Sequence, residues 1–291
     1  MRRAVLFVLI GIASVQVGAA LAKHIFDQAE PATLVLFRLA TSAVLLGLVV
    51  RPSLRGRSRA DWLVVLGYAT SLAVMNWSIY QSFARIPLGL AVTIEFVGPL
   101  SVALLSSRRV RDLLWVGLAA AGVVLLGFDS SAIDPVGVGF ALLAGAAWAA
   151  YILLSANTGR RWPGLDGLTV ASVIATVWLL PVALPAGDPA LVDPQIIGVG
   201  IAIGLLSSVI PYSLELAALR TLAPATFGIL MSLEPAAAAL AALVVLGEQL
   251  SGLQWLAIAA IVAASVGVTA SARGGFTQTS SDVDAVVVPD P

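Results

Sequence analysis

Ten apolar runs, most of them about twenty residues long, follow one another along this chain with only short polar islands between them. They cover about 4–22, 32–50, 62–84, 88–106, 113–128, 135–155, 168–186, 195–219, 224–246 and 252–271. A helix needs roughly 20 apolar residues to cross the hydrocarbon of a bilayer. Strands do not fit, because the runs are too long and show no strict alternation. The sequence therefore predicts an all-α membrane protein with ten transmembrane helices. Only 11% of the 291 residues are charged, against about 25% in a soluble domain. The fifth run is short and fits with less tilt or with extension into its flanks. The start, MRRAVLFVLIGIASVQVGAALA, has the layout of a secretory signal. Further spans follow it, so it reads as an uncleaved first helix.

The formal net charge is zero, but the charges are segregated. With the N-terminus in the cytoplasm, Arg2, Arg3, Arg51, Arg55, Arg57, Arg59, Arg108, Arg109, Arg111, Arg160, Arg161, Arg220 and Arg273 all fall inside. Lys23 and Arg85 fall outside, among Asp27, Glu30, Asp129, Asp134, Asp188, Asp193 and Glu248. Basic residues on the cytoplasmic side set orientation, so both termini are expected in the cytoplasm. The polar residues 272–291 read as a disordered cytoplasmic tail.

The chain also repeats itself. Placing Pro99 over Pro235 brings Trp115 over Trp255 and Gly127 over Gly267, allowing four extra residues in the second half. Residues 1–128 and 135–271 then hold five spans each. Five is odd, so the second unit enters the membrane from the opposite side. Such inverted repeats are a common build for secondary carriers, with the substrate site near the midplane between them. The GxxxG of Gly200 and Gly204, and the looser Gly117 with Ala121, allow close helix packing.

Ionisable groups inside spans are the strongest pointers to function, because a charge at the bilayer centre costs at least ~2.5–3.5 kcal/mol. Arg38, Glu95, Glu215 and Glu234 stand out. Arg38 and Glu95 fall at similar depth. Either they line one cavity with the other acids, or they form a structural ion pair between spans 2 and 4. Glu234 falls near the midplane, and Glu215 near the inner end of span 8, where water is in reach. Three acids against one base cannot all stay ionised in a dry interior, so protons or a cation must complete the site. An amino acid suits, with its carboxylate on Arg38 and its ammonium on an acid. Asn76 and Tyr80 share a face of span 3, and an amide in mid-span needs partners. Trp148 with Tyr151, and Tyr212 with Glu215, are spaced three apart. Pro211 and Pro235 are expected to interrupt their helices beside these groups.

Other chemistry is not supported. The chain has no Cys and one His, His24, so thiolate and multi-histidine metal sites are excluded. It carries no P-loop or G-x-S-x-G motif, and no basic aromatic surface for nucleic acid. No cofactor or metal is called for.

The motifs LAKHIF, FRLA, PLGLAVTIEFVGPLSVALLSSRR, IPYSLELAALRTL and FGILMSLEPAAAAL, with the LGE of Leu246 to Glu248, resemble the EamA family of the drug/metabolite transporter superfamily. The likeness is greatest to its threonine/homoserine exporter group. The first half departs from it in carrying Arg111 and Asp112 where an LGE would stand. The resemblance implies two EamA repeats, an inner-membrane location and proton-driven export of small amino acids. Arg38, Asn76, Tyr80, Glu95, Tyr212, Glu215 and Glu234 are the candidate cargo and proton residues. A carrier of the same build for a drug, purine or vitamin remains an alternative, as does a non-transporting membrane scaffold or sensor.

Overall fold

A computed structural model describes residues 2–105, 134–219 and 230–283, with isolated residues at 114–115, 117–118, 121–122, 222 and 227. Every described element is helical. The helices are α1 (Arg2–His24), α2 (Pro31–Val50), α3 (Arg59–Phe83), α4 (Leu88–Glu95), α5 (Val97–Leu105), α6 (Pro135–Arg161), α7 (Asp166–Ala183), α8 (Pro194–Gly204), α9 (Ile210–Leu219), α10 (Glu234–Ala241) and α11 (Gly252–Val283). Among them α1, α2, α3, α6 and α7 are long and apolar enough to cross a membrane. Shorter apolar helical stretches lie at Leu88–Val102, Pro194–Val209, Glu234–Leu246 and Gly252–Gly267. The chain is thus a multi-pass membrane protein.

The helix starts are written in the sequence. Ser58 and Asp61 form a reciprocal capping box on α3, with Ser58 N–H donating to Asp61 at 2.9 Å and Asp61 N–H to Ser58 Oγ at 3.2 Å. Asp134 and Asp193 cap α6 and α8, each followed by a proline in the first turn. The stretch ending at Leu246 stops at Gly247, whose φ of 69° suits a residue without a Cβ.

The fourth, eighth and ninth apolar runs are broken rather than single helices. The fourth divides at Phe96, and the eighth passes through a π-helical turn, Leu205–Val209. The described part of the ninth starts a new helix at Glu234 and ends in a second π turn, Ala242–Leu246. Pro99 and Pro211 account for the first two positions, since each lacks the N–H that a helix interior needs, and Pro235 suits the first turn of the helix that starts at Glu234. Most of the fifth run and residues 224–226 and 228–229 of the ninth lie outside the described residues. The last helix continues to Val283 instead of ending at 271, and no proline intervenes before Pro289 to stop it. The side chains from 268 onward lie outside the described residues.

Small residues set the packing. Gly200 and Gly204 meet Phe37 and Thr41 of α2, where an added Cβ would stand 2.6 Å from either side chain. That contact uses the GxxxG as a packing face. A Cβ added to Gly117 of the looser motif would meet nothing within 4 Å among the described residues. Residues from the two halves interleave: α3 packs along α6, α2 along α7, α1 along α9, and α4 against α10.

Ion pairs also join the halves. At one end of the bundle Lys23 meets Glu248 at 2.6 Å and donates to the Ile86 carbonyl at 2.7 Å. Glu248 in turn accepts from Leu88 N–H at 2.9 Å. At the other end Arg57 faces Asp166 at 3.7 Å, and Arg161 faces Asp61 at 3.2 Å.

Candidate functional site

A cavity of about 460 Å³ lies where α1, α3, α4, α6 and α10 converge. That volume falls within the ~300–1,000 Å³ of small-molecule sites. Its walls are largely apolar, with Val15, Met75, Ile79, Val92 and Phe96 among them. Arg38, Glu95 and Glu234 all line it, so three of the four ionisable groups singled out in the sequence reach one space.

Arg38 is held by the π turn of the eighth run. Pro211 has no N–H to return to the preceding turn, and Ile210 N–H bonds back to Leu205. The carbonyls of Leu206 and Ser207 are taken by other donors. Ser14 donates to Leu206 at 2.6 Å, and Arg38 Nη2 donates to Ser207 at 3.0 Å. Arg38 Nε lies 3.4 Å from Ser208 Oγ, and its guanidinium sits 5.9 Å from the Tyr80 ring centre. Among the described residues Nε and Nη2 are thus engaged, and a planar guanidinium fork also suits a carboxylate.

Glu95 is only 8% exposed and ends α4. The Arg38 charge acts on it, yet among the described residues no ion pair within 4 Å joins the two. They face a shared space without closing on each other. Pro99, four residues on, cannot donate to the Glu95 carbonyl. There the chain passes so near α6 that a Cβ on Gly145 would lie 2.6 Å from that oxygen. Glu234, 6% exposed, opens α10 with Pro235 beside it. The two acid-bearing helices touch each other, since a Cβ on Gly89 would come within 2.8 Å of the Ala239 backbone.

The remaining candidates divide. Asn76 lines the cavity and donates to the Leu72 carbonyl at 2.8 Å, which leaves its amide oxygen for other partners. Tyr80 is buried behind the lining, with Phe83 at 5.6 Å and Phe26 at 6.1 Å between ring centres. It backs Arg38 instead of facing the cavity. The side chains of Tyr212 and Glu215 lie outside the described residues. Trp148 and Tyr151 do line the space, and Trp148 stands edge-on to Phe96 at 5.6 Å.

Three polar lining groups escaped the sequence reading: Gln16, Ser207 and Ser265. Gln16 carried the same signal as Asn76, an amide in the middle of an apolar run. Ser207 carried none, because its place depends on the π turn. Among the described residues no three His, Asp or Glu side chains converge in a way that could hold a metal. The arrangement offers one fixed cation and two carboxylates around a mostly apolar chamber. That pattern complements a small zwitterion.

The comparisons with known proteins agree with this build. The family model described as the EamA-like transporter family matches residues 135–270. The chain is 43% identical over 273 residues to the threonine/homoserine exporter RhtA of Salmonella typhimurium, covering 92% of each chain. It is 42% identical to the RhtA of Escherichia coli K12 over the same length and coverage. An uncharacterized transporter of Bacillus subtilis, YwfM, is 30% identical over 260 residues, covering 85% of this chain and 87% of its own. One solved crystal structure, 18% identical, matches with a TM-score of 0.61 over 91% of this chain and 94% of its own. At that identity it speaks for the fold alone. From the 42–43% identity over nearly the full length, the chain belongs to the EamA-like transporter family.

Proposed function

We propose that the protein exports small hydroxylated amino acids of the threonine and homoserine kind across the inner membrane, in exchange for protons. The cargo carboxylate binds Arg38, and its ammonium binds Glu95 or Glu234. The same acids take up protons when cargo is absent, so that no uncompensated charge stays buried. Asn76 is polar lining, and Tyr80 positions Arg38. Tyr212 and Glu215, three apart on the eighth run, are further candidate cargo and proton residues. The observation that carries this reading is the single cavity holding Arg38, Glu95 and Glu234 between helices of both halves.

The chain crosses the membrane ten times as two inverted five-helix units, 1–128 and 135–271, with both termini in the cytoplasm. The helix pairings support the repeat. Exchanging the halves turns the α3–α6 contact into the α1–α9 contact, and returns α2–α7 and α4–α10 onto themselves. The distribution of arginines supports the orientation.

The test uses purified protein in liposomes with an imposed pH gradient and labelled threonine. The expected result is threonine movement against the proton flow, reduced by unlabelled homoserine and unaffected by an unrelated purine. Equal threonine flux with and without the gradient would remove proton coupling. No flux of either amino acid in folded, inserted protein would remove the transport reading.

A further inference from the structure

We infer that Gln16 is the specificity-determining residue that reads the side-chain hydroxyl of the cargo, an inference that rests on the transport reading above. Gln16 sits in the middle of α1, is 2% exposed, and lines the cavity. Its Oε1 is buried with no hydrogen-bond partner among the described residues. Buried amides are normally paired, and an unpaired one is a standing penalty that a polar ligand atom removes. Asn76 differs in that its Oδ1 is not among the buried oxygens without a partner, while its Nδ2 already donates to Leu72.

The two charged ends of an amino acid have better partners elsewhere in the chamber. A carboxylate gains more from the Arg38 guanidinium, and an ammonium from Glu95 or Glu234, than either gains from a neutral amide. What is left for Gln16 is a neutral group that both donates and accepts. A hydroxyl fits whichever way the amide is turned, donating to Oε1 or accepting from Nε2. Val15 and Ala19 flank Gln16 on the lining and suit a short carbon chain around that hydroxyl. A site built to bond a hydroxyl rejects the analogue that lacks it far more strongly than an apolar pocket distinguishes one methylene.

The experiment compares threonine with 2-aminobutyrate, which is threonine without its hydroxyl, in reconstituted wild type and Gln16→Met. The wild type is expected to exchange threonine at least about tenfold more efficiently. Gln16→Met is expected to bring that ratio close to one. Equal handling of the two compounds by the wild type overturns the inference without any variant. So does a Gln16→Met ratio that stays at the wild-type value, or a variant that loses both activities in proportion. If Gln16→Met does not accumulate in membranes, Gln16→Ala is read by the same ratio. Wild type that carries neither compound defeats the transport reading instead, so the two failures are distinguishable.

Discussion

In the first half of the chain Glu95 stands four residues before Pro99; in the second, Glu234 stands directly before Pro235. The spacing decides what each proline does. Pro99 falls inside a helical stretch and leaves the Glu95 carbonyl without its helical donor. The chain divides at Phe96 and goes on as α5. Pro235 falls in a first turn, where no N–H is missed, and a new helix begins. With the prolines superposed, Glu95 matches Met231, and Glu234 matches Gly98. In that superposition the acids stand three residues apart, ~4.5 Å along a helix. The two halves of the chain thus carry their acids at unlike positions around one cavity.

The largest expected effect comes from the acids themselves. Glu95→Gln and Glu234→Gln should each cut threonine exchange by about tenfold to a hundredfold, matching the ~1.5–3 kcal/mol of a hydrogen bond to a charged group. Exchange rates in liposomes check this. Wild-type flux in one variant would restrict the cargo site to a single half.

The next effect falls on the close contact at the Glu95 break. Gly145→Val should lower stability by about 1–3 kcal/mol through overpacking, because its Cβ has 2.6 Å to the Glu95 carbonyl. Thermal unfolding in detergent measures it. An unchanged melting temperature would mean that α4 and α6 separate without cost.

The prolines sharpen the comparison further. Pro235→Ala should change stability by less than about 1 kcal/mol, since the position is a first turn. Pro99→Ala supplies an N–H to the Glu95 carbonyl and should alter exchange more than Pro235→Ala does. Side-by-side exchange rates decide the order, and the reverse order would undo the account of the two breaks.

The smallest effect belongs to a tie between the halves away from the cavity. Burial pushes the Asp188 carboxyl up, but the nearby Thr33 hydroxyl and hydrogen bonds from the N–H groups of Ala190 at 3.0 Å and Glu30 at 2.9 Å outweigh it and hold it below the usual range. A lowered carboxyl stabilises the fold above its ordinary pKa of about 3.9. That contribution fades as pH falls through the lowered value. Melting temperature below about pH 4 should therefore drop more in wild type than in Asp188→Asn.

Much of the helical plan was legible, because spans in lipid must be long and apolar and their caps are local. Asp134 with Pro135 and Asp193 with Pro194 mark helix starts without reference to the rest of the chain. The end of α6 was less legible: it runs to Arg161, past the apolar run, because a helix need not stop where hydrocarbon does. Arg38, Glu95 and Glu234 could be found from their cost in lipid alone. Tyr80 shares a face of α3 with Asn76 but is not among the residues lining the chamber, since a shared face says which side of α3 it occupies and not whether that side opens on the chamber. Pro211 marks an interruption of the eighth run locally, but which freed carbonyls meet Ser14 and Arg38 depends on partner helices and leaves no local trace.

The chain has no cysteine, so a single introduced thiol reports on one position without background. Met75→Cys places it on the cavity wall, and Leu63→Cys on an exposed flank of α3. If the cavity is the cargo path, threonine should slow thiol labelling at position 75 and leave position 63 unaffected. Equal labelling with and without threonine at position 75, in protein that still exchanges threonine, would contradict the account by placing the path elsewhere.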